Sequence, residues 1–332
     1  FSGMALDDVI NQTNHYQWHS TLKKSFRAKA FDYCACASSY GLNNFKQDAE
    51  AQVANITEIV NELFENKETD FCKEKAIIEP SFVCEELGLQ GRVDLMTTDF
   101  QLLVEQKSGK NFNIERGIKN NFGSYQREDH YVQLLLYYGI LQRNFKLAVN
   151  KIDIRLLYSK YPLPGGLVVV NYYQKLFREA LKLRNHIVYN ELAIAQKGFE
   201  HLLPLLKPDT LNVNGLKNMF YERYLLPQLS AVLNPLHQLS EIEHAYFCRQ
   251  MTFVYREQAS SKTSENEGHG GCQADLWSMP LSEKRDAGNI YTGLVIVKKE
   301  RSDDTSGIDL LTFEITEHDP YFLPNFRKGD SV

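Results

Sequence analysis

The stretch Gly88–Lys110, GLQGRVDLMTTDFQLLVEQKSGK, decides the reading of this chain. Two runs rich in Val, Leu, Met and Phe, Gly91–Met96 and Phe100–Gln106, flank Thr97, Thr98 and Asp99, the composition of two strands joined by a hairpin turn. Strand side chains alternate in direction, so Glu105 and Lys107 share one face and Gln106 takes the other. A hairpin that lays Asp94 alongside then gathers two carboxylates and one ammonium. Such a group suits a hard divalent cation, because magnesium takes oxygen ligands, accepts one or two carboxylates and leaves the remaining positions to phosphate and water. Lys107 is placed to orient a water or to stabilise charge developing on a phosphate. An exposed cross-strand salt bridge uses the same residue types and contributes little.

Outward from this stretch, Ala76–Val83 reads as a further strand, and Phe45–Glu65 as an amphipathic helix with Val53, Ile56, Val60, Leu63 and Phe64 at helical spacing and Glu50, Gln52, Asn55 and Glu58 on its polar face. A polar loop rich in Gly and Asn, Ser108–Ser124, precedes a mostly buried helix over Asp129–Phe145. Strands at Ile152–Tyr158 and Leu167–Tyr172, joined through Pro162, Pro164, Gly165 and Gly166, complete a compact α/β unit ending near Asn190. Leu192–Gln258 reads as helical, punctuated by prolines, and Ala259–Gly271 as a mobile polar loop. Ile290–Lys298 and Ile308–Ile315 form a strand pair. The expected organisation is a core at 1–190, a helical extension at 191–285 and the start of a β-rich linking domain at 286–332. A further strand begins at the last residues, so the chain is expected to be a fragment of a longer protein.

Composition sets the outer bounds. With 332 residues, 43% hydrophobic and 24% charged, the chain has the make-up of roughly two globular domains, which excludes a disordered or collagen-like chain. No apolar run reaches the roughly 18 residues of a membrane span, and the N-terminus has no secretory pattern, so a soluble, intracellular protein is expected. Six irregularly spaced cysteines do not make a disulfide framework. The net charge of −5 argues against general coating of nucleic acid, but Arg143–Arg184 holds nine Lys or Arg against Asp153 and Glu179, a local basic surface or a solvated helix face.

The spacing Asp94, ten residues, Glu105-x-Lys107 resembles the PD-(D/E)XK nuclease superfamily. The run Gly88, Leu89, Gly91, Arg92, Val93, Asp94 resembles the GL-x-G-x-x-D motif of its RecB-type branch, Ser108 and Gly109 supply the turn that follows the acidic triplet, and Gln133 with Tyr137 resembles the Q-x-x-x-Y motif. Gln133 and Tyr137 are four apart, on one helical face with His130. The resemblance covers Ala76–Tyr172 and is strongest to nuclease modules fused to superfamily-1 helicases, the Okazaki-flap-processing helicase-nucleases and their bacterial relatives. It implies a restriction-endonuclease-like α/β core, a central mixed sheet flanked by helices, with a helical extension and a small C-terminal β segment.

The resemblance further implies an Mg²⁺- or Mn²⁺-dependent deoxyribonuclease acting on single-stranded or flapped DNA in replication or repair. Asp94, Glu105 and the backbone carbonyl of Gln106 would hold the metal, and Lys107, Gln133 and Tyr137 would complete the catalytic set. Lys110, Lys119, His130, Arg143 and Lys160 are candidate DNA contacts, and Phe112, Phe122 and Tyr125 candidate stacking residues. A superfamily-1 helicase in the same parent chain is the expected partner, no membrane is involved, and the setting is the bacterial cytoplasm. Two departures stand out. No C-x-x-C occurs, so the iron–sulfur cluster of many relatives is not expected. No His lies between His19 and His130, which leaves Glu50, Glu58 or Glu79 as substitutes for the branch's upstream metal-site residue. The rival readings are a catalytically inactive nucleic-acid-binding module of a helicase and a partner-docking domain.

Overall fold

A computed structural model describes residues 1–11, 17–36, 41–66, 69, 71–149, 151–262, 279–301, 309–316 and 321–326. The fold is mixed α/β, and the chain divides into two compact units, residues 1–181 with 301–310 and residues 182–300 with 311–332.

In the first unit four helices lead in: α1 (Ser2–Asn11), α2 (Trp18–Ala28), α3 (Ala30–Cys36) and α4 (Leu42–Phe64). The strands follow as β1 (Ala76–Ile78), β2 (Ser81–Cys84), β3 (Leu89–Arg92), β4 (Leu95–Thr97) and β5 (Leu102–Lys107). After α5 (Phe112–Arg116) and α6 (Glu128–Phe145) come β6 (Asp153–Tyr158), β7 (Leu167–Val170) and the long α7 (Gln174–Lys197). Five strands make a mixed sheet in the order β1-β4-β5-β6-β7, antiparallel throughout except for the parallel pair β5–β6 that α6 connects.

Each of the two expected strands Ala76–Val83 and Gly91–Met96 is broken by a bend. Ile78 pairs with Leu95 in the main sheet and Ser81 with Arg92 in the separate β2–β3 hairpin, in one continuous register. Between them Glu79 N donates to the Asp94 carbonyl and Val93 N to the Pro80 carbonyl, both at 3.1 Å. Glu79 sits at φ 51°, a left-handed conformation uncommon for a non-glycine residue, and this turns the hairpin off the sheet. Asp94 therefore stands at the corner.

Period-two alternation sorts the β5 side chains into two cores. Leu103 packs with Met96, Leu134, Leu135 and Tyr138 under α6, whereas Leu102 and Val104 pack with Leu6, Ile56 and Val60 under α1 and α4. All three β5 residues are fully buried, as expected of a central strand covered on both faces. Continuing the alternation, Glu105 and Lys107 face α6 and Gln106 faces α1, where its side-chain amide donates to the Ser2 carbonyl at 3.1 Å.

The second unit is mainly helical, with α8 (Pro208–Leu211), α9 (Leu226–His237), α10 (Glu241–Lys262) and α11 (Leu281–Asp286). Ile194, Phe199, Leu203 and Cys248 form its small buried core. The strands β8 (Leu294–Arg301) and β9 (Asp309–Ile315) pair with each other near the C-terminus. Residues 259–262, expected in a loop, are the last residues of α10; 263–271, and with them Cys272, lie outside the described residues. The α/β unit, expected to end near Asn190, gives way to the second unit within α7, which is continuous across that point.

Candidate carboxylate and lysine site

The register of β4 against β5, Leu95 opposite Val104, extends one residue further to set Asp94 opposite Glu105 on the α6 face. The backbone amide of Gln106 donates to Asp94 Oδ2 at 2.7 Å and fixes that carboxylate at the corner. Lys107 Nζ donates to Glu105 Oε1 at 2.7 Å and to Gln133 Oε1 at 2.8 Å, and Gln133 Nε2 donates to the Tyr137 hydroxyl at 2.9 Å. One chain of polar contacts thus runs from β5 to the first half of α6. Tyr137 is held from behind by Gly91, since a Cβ at Gly91 would stand 2.4 Å from Tyr137 Cε1.

Burial governs the electrostatics. Glu105 is 3% exposed, and desolvation together with the charge of Asp94 raises its carboxyl to about 7, although Lys107 works in the opposite direction. Burial also raises Asp94, against the pull of the Gln106 amide and Lys107. The Tyr137 hydroxyl is raised by burial and by the two carboxylates. Glu105 Oε2 is buried with no N–H or hydroxyl donor, and its carboxyl meets that of Asp94 in a contact that only a proton or a cation between them can make favourable. A buried acceptor without a donor costs about 1–3 kcal/mol, more when charged, and calls for an explanation.

A divalent cation fits that vacancy of donors. Asp94 offers oxygens from the bend before β4 and Glu105 from β5, and the Gln106 carbonyl follows on β5. Among the described residues no three His, Cys, Asp or Glu side chains converge as a metal-binding group. Two carboxylates and a carbonyl would leave the remaining positions of a magnesium shell to phosphate and water.

The other sequence candidates fall in several places. His130, one turn before Gln133, is largely buried; its Nδ1 lies 3.1 Å from the Tyr158 hydroxyl, and burial lowers its pKa. Lys160 follows β6, and Ser159 N donates to the Lys107 carbonyl at 3.0 Å, so the register carries Lys160 to the Lys107 end of the sheet. Lys110 is exposed three residues beyond Lys107, and Lys119 lies 5.8 Å over the Tyr125 ring. Arg143 is not brought to the site: it lies near the other end of α6, paired with Glu86 at 3.5 Å. Phe112 is exposed, but Phe122 is packed edge-on against Tyr131 and Tyr173. Glu79 pairs with Arg92 at 3.3 Å, and Glu50 and Glu58 are exposed on α4.

Two features escaped the sequence reading. Gln52 and Asn55, read as part of the polar face of α4, turn inward: Ser159 Oγ donates to Gln52 Oε1, and Asn55 Nδ2 donates to the Ser159 carbonyl, both at 2.9 Å. Polar residues spaced three apart beside an apolar stripe were the available signal. In the loop after β5, fully buried Asn111 caps α5 by accepting from Asn113 N and Ile114 N. Its side-chain amide donates to the Tyr125 carbonyl at 3.0 Å, which ties the two ends of the loop together.

Compared with models of known protein families, with curated proteins and with solved structures, the chain gives no match. Among the described residues no helix is long and apolar enough to cross a membrane.

Proposed function

We propose that the first unit is a metal-dependent nuclease of the PD-(D/E)XK type, hydrolysing phosphodiester bonds in single-stranded or flapped DNA. The observation that carries this reading is the buried, donorless Glu105 Oε2 beside Asp94, with Lys107 on the same face. The bent hairpin, the mixed sheet flanked by helices and the Gln133–Tyr137 pair support assigning the unit to the restriction-endonuclease-like folds. On the sequence resemblance alone, the chain is the nuclease part of a cytoplasmic helicase-nuclease whose superfamily-1 helicase lies elsewhere in the parent chain.

Asp94, Glu105 and the Gln106 carbonyl would hold Mg²⁺ or Mn²⁺, which supplies Lewis acidity toward phosphate and a more acidic water. Lys107, fixed between Glu105 and Gln133, would stabilise the charge that develops on the phosphate. Gln133 sets the lysine's direction, and Tyr137 sets that of Gln133. Lys110 and Lys160, close in sequence and register to Lys107, are suited to backbone phosphate contacts that carry no sequence preference.

The test is cleavage of end-labelled single-stranded and flapped DNA in Mg²⁺ or Mn²⁺ against EDTA. Cleavage is expected only with metal, and Lys107→Ala and Asp94→Ala should each lose about 10²-fold or more. A wild-type chain that binds DNA and never cuts it would overturn the enzymatic reading in favour of a binding module. Absence of both binding and cleavage would overturn both.

A further inference from the structure

On α10, Tyr246, Arg249, Phe253 and Arg256 recur at intervals of three and four and so lie on one helical face. The face is open: Tyr246 is 68% and Phe253 57% exposed. Where it passes the turn that ends α7 there is a cavity of about 350 Å³, walled by Lys197, Glu200, Arg249, Phe253 and Arg256. Three cations therefore face one carboxylate. Among the described residues neither Lys197 nor Arg249 has an ion-pair partner. The walls are tied together by buried and half-buried bonds. Phe199 N donates to Thr252 Oγ1 at 2.9 Å, Thr252 Oγ1 donates to the Cys248 carbonyl at 2.7 Å, and Arg256 Nε donates to the Ala195 carbonyl at 2.8 Å.

We propose that this cavity and the α10 face beside it bind single-stranded nucleic acid, with a backbone phosphate among Lys197, Arg249 and Arg256 and an unpaired base on the ring of Phe253. Uncompensated cations around a cavity call for an anion, and an exposed aromatic ring between two arginines adds a stacking platform that a free phosphate would not use. A duplex keeps its bases stacked on each other, so the exposed rings select a single strand. Tyr246, two turns before Phe253 on the same face, offers a second platform. The inference extends the nucleic-acid reading of the first unit, yet rests on different residues in a different unit.

The test is fluorescence anisotropy of a labelled oligothymidylate with the full chain in EDTA, across a salt series. Lys197→Glu and Arg249→Glu should each weaken binding and flatten the dependence of log affinity on log salt by about 0.7 for each phosphate no longer neutralised, whereas Arg249→Lys keeps the slope. Phe253→Ala should lower affinity roughly ten-fold and leave the slope unchanged. Lys23→Glu, exposed on α2 in the first unit and outside the site there, should bind as wild type does. Wild-type affinity and slope in the folded Lys197→Glu and Arg249→Glu variants would overturn the proposal, as would no binding by the wild-type chain. Binding at α10 without cleavage under any metal would leave it standing and overturn only the nuclease assignment.

Discussion

The two oxygens of Glu105 have different surroundings: Oε1 receives the Lys107 ammonium and Oε2 has no donor. Ionised, Glu105 faces Asp94 as a buried like charge. Protonated, it can donate to Asp94 instead. The folded carboxyl titrates near 7 against an ordinary value of 4.5, so between these limits the folded state holds more protons than the unfolded one. Stability must then fall as pH rises through that window, and the raised Asp94 adds in the same direction. In EDTA, scanning calorimetry should show Tm falling between about pH 5 and 8, a slope that Glu105→Gln flattens. Mg²⁺ or Mn²⁺ added at the upper end should recover the loss, because an ion that binds only the folded state stabilises it by mass action. That Glu105 and Lys107 share a face was legible from alternation alone. The orphaned oxygen was not, since it depends on the depth at which α6 closes over β5.

At the scale of elements, the site is a meeting of the bent hairpin with α6. Gly91 lets the strand approach the Tyr137 ring, and the missing Cβ is what makes room. Gly91→Ala should cost about 1–3 kcal/mol, because the ring cannot retreat without pulling on its bond to Gln133. Combining it with Tyr137→Leu should recover much of that loss, a coupling that denaturant melts of the two single variants and the double variant would measure. Equal losses that simply add would show that the two residues do not share a packing constraint. Helix α6 could be read from Val132, Leu135, Leu136, Ile140 and Leu141, of which Leu135, Ile140 and Leu141 are buried. The bend could not, because it hangs on the left-handed Glu79, and glutamate carries no local signal for that conformation. Nor could Arg143 be excluded from the site before its helix was seen to carry it toward Glu86.

For the whole molecule, the first unit was the more legible because its strands are short apolar runs bounded by turn residues and α4 keeps a period of 3.6. The second unit lacks that clarity. In α10 only Cys248 and Thr252 are buried, while Ile242, Tyr246, Phe253 and Val254 are exposed, so hydrophobic spacing there marks no single inner face. Residues 1–181 contain two cores of their own, including Leu176 and the Phe177 ring that packs on Gly139. A fragment of residues 1–181 should accordingly unfold in one cooperative transition, with circular dichroism and tryptophan fluorescence giving a common midpoint. Non-coincident transitions would mean that this unit needs the rest of the chain to fold.

Strand β5 stands in the middle of its sheet, paired with β6 along its whole length and with β4 at Leu103 and Val104, and covered above and below. Amides so placed exchange with solvent only through the largest openings a domain undergoes. Glu105 and Lys107 ride on the segment that local fluctuations reach last, and Asp94 is bonded to its backbone. The carboxylates and their lysine therefore come apart when the unit as a whole does, and not through fraying of an edge.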